Sequence, residues 1–114
     1  MFDFQKLEVY KKAKLFHQDY KKIIQEIKLD KYVKDQLGRA SFSVILNIAE
    51  GSGKFSKADR KNYYTTSSAS LFESIAVLDI LCDESVITKD DFEIHFRKAD
   101  ELSRMLFSMI RNLS

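Results

Sequence analysis

The chain has no proline, no tryptophan, three glycines and one cysteine in 114 residues. Without proline, nothing removes an amide donor or forces a kink, so long unbroken helices are favoured. Glycine stands only at 38, 51 and 53, which gathers the strongest turn signals into one short stretch. The lone Cys82 forms no internal disulfide, which fits a reducing compartment and a cytoplasmic location. No apolar run approaches the roughly 18 residues that cross a bilayer, so no membrane association is expected. The opening MFDFQKLEVYKK interleaves charge with apolar residues instead of following a basic segment with an apolar one, and so does not read as a signal peptide.

Neither sign of charge dominates. A composition 45% hydrophobic and 32% charged, with a net charge of +2, is globular, and its length suits one domain over residues 1–114 with a single modest core. The charge is unevenly spread, however. Residues 1–64 hold 14 Lys/Arg against 8 Asp/Glu, and residues 65–114 hold 5 against 9. Such asymmetry suits a basic surface that meets a polyanion. It suits equally well two halves, or neighbouring subunits, that attract one another.

Four segments carry helical periodicity. Phe2, Val9, Ala13, Phe16, Tyr20, Ile23 and Ile27 form the first stripe, widened by Leu7, Tyr10 and Ile24. Asp30 is placed to cap a second helix through Leu37, Ala40, Val44 and Ile48 to Gly51, read as a left-handed C-terminal cap. Gly38 inside it costs about 1 kcal/mol relative to alanine, which close packing would offset. Ser56-Lys57-Ala58-Asp59 has the form of a capping box and opens a third helix, with Tyr64, Ser68, Leu71, Ile75, Leu78 and Cys82 on one seam. Thr88 to Asp91 cap a fourth, with Phe92, Phe96, Ala99, Leu106, Ile110 and Leu113 facing inward. FSVIL lacks a turn-bounded partner at strand spacing. The short connections near 28–31, 51–56 and 85–88 make consecutive helices antiparallel neighbours. The expected fold is all-α: a single-domain, up-down-up-down four-helix bundle.

The stretch NIAEGSGKFSKADRK, residues 47–61, invites a phosphate-loop reading and fails it. A P-loop needs Gly-Lys followed by Ser or Thr after a buried strand, and here Phe55 follows Gly53-Lys54. A dinucleotide fingerprint fails at Ser56, where the third glycine belongs. What remains is a helix–turn–helix corner where Lys54, Lys57, Arg60 and Lys61 gather beside a helix N-terminus that favours anions.

Ser43, Asn47 and Glu50 share a face of the second helix with Arg39, and Glu73 shares a stripe of the third with Ala69, Ala76 and Ile80. A di-iron site needs about four glutamates and two Glu-x-x-His motifs, and the sequence has no such motif. The four polar residues read as a structural cluster in which Asn47 and Glu50 lock the middle helices together, with Arg39 or Arg60 as the natural partner of the acid. His17 and His95 border core stripes, and Cys82 has no basic neighbour. No acid–base pair, nucleophile elbow or metal ligand set can be placed. No catalytic residue, metal, cofactor or small-molecule substrate is expected, and the chain does not read as an enzyme.

DFQKLEVYKKA, QLGRASFSVILNIAEGSGKFSKAD, SLFE and ELSRMLFSMIRNL together resemble the 23S rRNA intervening-sequence proteins, with the related accessory variability proteins of diversity-generating retroelements. The resemblance runs in order over nearly the whole chain, and NIAEGSG is its most specific part. Family members usually carry Arg-Arg where this chain has Gly38-Arg39, and proline where it has Ile45. The resemblance implies a bacterial four-helix bundle assembled as a homopentameric ring, whose retroelement relatives bind nucleic acid and partner a reverse transcriptase. It points to a non-catalytic homo-oligomer that binds RNA or DNA with low sequence specificity. Arg39, Lys54, Lys57, Arg60 and Lys61 are the first candidate contacts, and Lys11, Lys14, Lys21 and Lys22 the second. Phosphate contact is expected rather than base readout, since no recognition helix or aromatic stacking platform stands out. The alternative is an adaptor ring that docks a larger protein without touching nucleic acid.

Overall fold

Val9, Ala13, Phe16, Tyr20 and Ile23 recur at helical steps, and in a computed structural model describing residues 2–113 they are the buried face of helix α1 (Glu8–Glu26). A single 3-10 turn, Asp3–Lys6, precedes it, and α2 (Lys31–Ser52), α3 (Lys57–Asp83) and α4 (Lys89–Asn112) follow. No strand occurs among the described residues. Each helix packs on its neighbours in sequence, and α1 closes the bundle against α4. The α2–α3 seam is the most extensive and the α1–α4 seam the slightest.

Cross-seam contacts fix antiparallel directions. Ser43 Oγ meets Ser70 Oγ at 2.9 Å while Gly51 lies against Tyr64. Lys12 pairs with Glu101 at 2.6 Å and Asp19 with Lys98 at 2.7 Å. The result is an all-α four-helix bundle measuring 44 × 21 × 21 Å. Its core joins Leu37, Val44 and Ile48 to Leu71, Leu78, Leu102 and Leu106. Each such side chain contributes about 1.5–3 kcal/mol by leaving water.

Several local expectations are corrected. The buried α3 seam is Tyr64, Ser67, Leu71, Ser74, Leu78 and Leu81, while Ser68, Ile75 and Cys82 sit half-buried beside it. Small side chains let α2 come close, and Ser67 Oγ donates to Val44 O at 2.8 Å, so its polarity is satisfied. On α4, Leu102 takes the inward place and Phe96 stays 47% exposed. Phe2 lies ahead of α1 and is exposed too.

Gly51 is not a left-handed cap. It lies inside α2, and no glycine has positive φ. A Cβ there would stand 2.7 Å from Tyr64 Cε1 and 2.9 Å from Tyr63 Cβ. The residue is small because two helix backbones approach at that point. At Gly38 the nearest atom to such a Cβ is Ile24 Cδ1 at 3.6 Å, so close packing is not its reason and nothing else in the structure explains it. Asp30 stands at the cap of α2 but caps with its backbone: its carbonyl accepts from Val33 N at 3.0 Å and Lys34 N at 3.1 Å. Thr88 caps as expected, its hydroxyl accepting from Asp91 N at 3.1 Å.

α3 ends in a Schellman motif that its sequence hides. Val86 N donates to Leu81 O at 2.9 Å and Ser85 N to Cys82 O at 3.0 Å, with Ser85 left-handed at φ 60°. By length and composition α3 is also apolar enough to cross a bilayer, as a bundle's core helix can be, although the chain has no unbroken apolar run of that length. Leu71, Phe72, Ile75, Val77, Leu78, Ile80 and Leu81 raise the average against its serines and threonines, and Glu73 and Asp79 interrupt the apolar stretch.

Candidate nucleic-acid interface

The α2–α3 corner is held by its own backbone. Gly53 N donates to Glu50 O at 3.1 Å and Lys54 N to Gly51 O at 3.2 Å, which closes α2. Ser56 Oγ accepts from Asp59 N at 3.0 Å and opens α3. Arg60 Nε then reaches back to Lys54 O at 2.6 Å, stapling the helix to the loop. Arg60 is therefore partly committed to structure.

The remaining cations are freer. Lys54 Nζ rests 5.0 Å from the Tyr63 ring centroid. Lys57 and Lys61 are exposed, and among the described residues Lys54, Lys57 and Lys61 have no carboxylate within ion-pair distance. Elsewhere Lys6, Lys11, Lys12, Lys31, Lys98 and Arg104 have such partners, while Lys14, Lys21, Lys22 and Arg97 have none among the described residues. Residues 50–61 carry four cations against the two carboxylates Glu50 and Asp59. An open cavity of about 630 Å³ adjoins the corner, lined by Phe2, Phe4, Leu7, Glu50, Lys54 and Arg60 among others.

The second set of lysines does not join this cluster. Lys11 is held by Glu8 at 3.4 Å, and Lys14 Nζ lies 5.0 Å from the Tyr10 ring centroid. Lys21 lines a groove with Lys34, Asp35 and Gly38, far along α2 from the corner. Lys22 is exposed nearby on α1. Arg39 donates to Gln36 Oε1 at 3.3 Å. Lys21, Lys22 and Arg39 thus lie toward the other end of the bundle, while Lys11 and Lys14 stand in the first turns of α1, whose start adjoins the corner.

The expected polar cluster divides as well. Asn47 Nδ2 donates to Ser43 O at 2.8 Å and Ser43 Oγ at 2.9 Å, and Ser43 carries the bond across to Ser70. Asn47 thus acts on the seam through Ser43. Glu50 and Glu73 are exposed, and neither side chain has a hydrogen-bonding partner among those described. The expected Arg39 or Arg60 partner is engaged elsewhere, and the stripe of Ala69, Glu73, Ala76 and Ile80 faces outward.

His17 Nδ1 and Ser41 Oγ share a 2.7 Å hydrogen bond, and burial, helped by Lys21, holds the imidazole below its usual range. His95 stands edge-on to Tyr20 with ring centroids 5.6 Å apart. His95 Nδ1 and Tyr20 Oη are buried without hydrogen-bond partners in the bundle. Burial lowers the His95 pKa, opposed by Asp19 and Asp91 and aided by Lys98, while burial pushes the Tyr20 phenol up. The described residues contain no grouping of three His, Cys, Asp or Glu side chains suited to a metal.

Sequence reasoning missed Phe55. It is 100% exposed, in the corner between Lys54 and Lys57. An aromatic outside every apolar stripe and flanked by lysines was the available signal.

The family model for the 23S rRNA-intervening sequence proteins matches residues 5–108. A crystal structure of a protein of unknown function from the S23 ribosomal protein family of Bacteroides thetaiotaomicron superposes with a TM-score of 0.80 at 25% identity. The alignment covers 90% of this chain and 97% of that one. No curated protein matches the chain.

Proposed function

The chain belongs to the 23S rRNA-intervening sequence protein family, and from that premise we propose that it is a non-catalytic, homo-oligomeric cytoplasmic bundle that binds RNA or DNA. The observation carrying this reading is the corner itself, where Lys54, Lys57 and Lys61 gather without carboxylate partners among the described residues. Cations left unneutralised by the fold gain most from phosphate, because binding releases the counterions condensed on the polyanion. Backbone contact of this kind carries little sequence information.

Homo-oligomer formation is supported by apolar surface left outside the bundle. Phe72, Phe96 and Phe107 are 62%, 47% and 62% exposed along the α3–α4 face, with Ile80 at 55% further along α3. The same surface supports the second reading, an adaptor whose apolar face docks a larger protein.

A salt-titrated gel shift on RNA, single-stranded DNA and duplex DNA tests the proposal. Wild type binds at low salt, with affinity falling steeply as salt rises. The triple variant Lys57→Ala, Arg60→Ala, Lys61→Ala binds more weakly, and its salt slope flattens by roughly one unit for each phosphate it no longer neutralises. Unchanged affinity in that variant removes the corner, and absence of wild-type binding at low salt favours the adaptor.

A further inference from the structure

Resting on that reading of the corner, we propose that it selects single-stranded over duplex nucleic acid by stacking an unpaired base on Phe55. The ring is fully exposed, so it adds nothing to the core. It does not hang from a loose loop. Lys54 on one side is bonded to Gly51 O and holds Arg60, and Ser56 on the other side caps α3. Phe55 is an exposed aromatic on a hydrogen-bonded corner, with Lys54 and Lys57 beside it in sequence.

That pairing has a defined ligand chemistry. Every unpaired base offers a π-face, and stacking on a protein aromatic contributes about 1–3 kcal/mol per base with little sequence preference. A duplex keeps its base faces covered along its length and offers only phosphates to the same lysines. Of the other exposed aromatics, Phe107 also meets a cation, Arg111 at 6.0 Å from its ring centroid, but it lies on the α4 face beside Arg104, which Asp100 holds. Phe72 precedes Glu73 in a stretch that continues to Asp79, and Tyr32 follows Lys31, which is held by Asp35 at 3.4 Å. Phe55 alone among the large exposed apolar residues stands between lysines without carboxylate partners among the described residues.

The missing tryptophan supplies the experiment. Phe55→Trp introduces the only indole in the chain, a fluorophore that a stacked base quenches. A short oligouridylate, an oligothymidylate and a duplex of equal length are titrated at low salt against wild type, Phe55→Trp and Phe55→Ala. Phe55→Ala loses about 5- to 150-fold in single-strand affinity, keeps the wild-type salt slope and binds duplex as wild type does. Phe55→Trp retains single-strand affinity, and its emission is quenched by the single strands and not by the duplex. Unchanged single-strand affinity in Phe55→Ala, or unchanged emission of a saturated Phe55→Trp complex, overturns the stacking role. A lowered native mass for Phe55→Ala also overturns it and assigns the ring to a contact between copies. If wild type binds and the lysine variant flattens the salt slope while Phe55→Ala changes nothing, stacking alone fails and phosphate binding stands.

Discussion

Gly51 and Tyr64 occupy one another's space: a methyl group on the glycine would lie 2.7 Å from the tyrosine ring. The ring is itself buried and has little room to retreat. Gly51→Ala therefore overpacks the α2–α3 seam at about 1–3 kcal/mol, offset in part by the roughly 1 kcal/mol that alanine gains in helix propensity. Thermal unfolding reports a Tm lowered by about 5–10 °C. Gly38→Ala, whose methyl meets only Ile24 Cδ1 at 3.6 Å, raises stability by about 0.5–1 kcal/mol. If both variants shift stability in the same direction, the packing account of Gly51 fails.

Ser85 holds the left-handed position of the Schellman motif with φ 60°. A side chain there carries a steric cost that glycine avoids. Ser85→Gly raises stability by up to about 1 kcal/mol, net of the greater freedom glycine gains in the unfolded chain. Urea unfolding measures it, and a lower midpoint at unchanged slope contradicts the strain argument.

Acid destabilises the bundle through its histidines. His17 and His95 both have folded pKa values below the ordinary 6.5, chiefly through burial. The unfolded chain therefore binds protons first as pH falls. Stability is full above pH 6.5 and declines below it until the folded pKa is reached. Around His95 the charged groups are Asp19 on α1 and Asp91 and Lys98 on α4, and the two acids soften the effect. The free energy of unfolding, measured between pH 7.5 and 5, declines for wild type and less for His95→Phe. An identical decline in the variant shifts the effect away from His95.

Phe72, Phe96 and Phe107 line neighbouring parts of the α3–α4 face. Phe72→Ser with Phe107→Ser lowers the native mass toward that of one 13.3 kDa chain and leaves the monomer's helical content unchanged. An assembly that keeps its mass in this variant uses another surface.

The fold was legible where apolar spacing decides burial. Val9 to Ile23 and Leu37 to Ile48 face the core as their periodicity requires. Legibility failed on α3, because a residue's place there depends on size more than polarity. Ser67 and Ser74 are buried since small side chains fit where α2 approaches, and no hydropathy pattern marks them. The same approach explains the misreading of Gly51, where smallness resembles a turn signal. At the candidate interface, Lys54 to Lys61 could be grouped from sequence. Their freedom from carboxylates, the commitment of Arg60 to Lys54 O and the outward set of Phe55 depend on how side chains meet in space.

The uneven seams set an order of opening. α2 and α3 form a hairpin, local in sequence and joined by Ser67 to Val44 and Ser43 to Ser70. α1 and α4 meet along the slightest seam, where Tyr20 Oη and His95 Nδ1 lack partners. Opening a slight seam that holds unpaired polar atoms costs the least, so local unfolding starts there. In native-state hydrogen exchange, amides of α1 and α4 lose protection first and the α2–α3 hairpin persists longest. The corner bearing Phe55 and its lysines then outlives the rest of the bundle, since it belongs to the last unit to unfold.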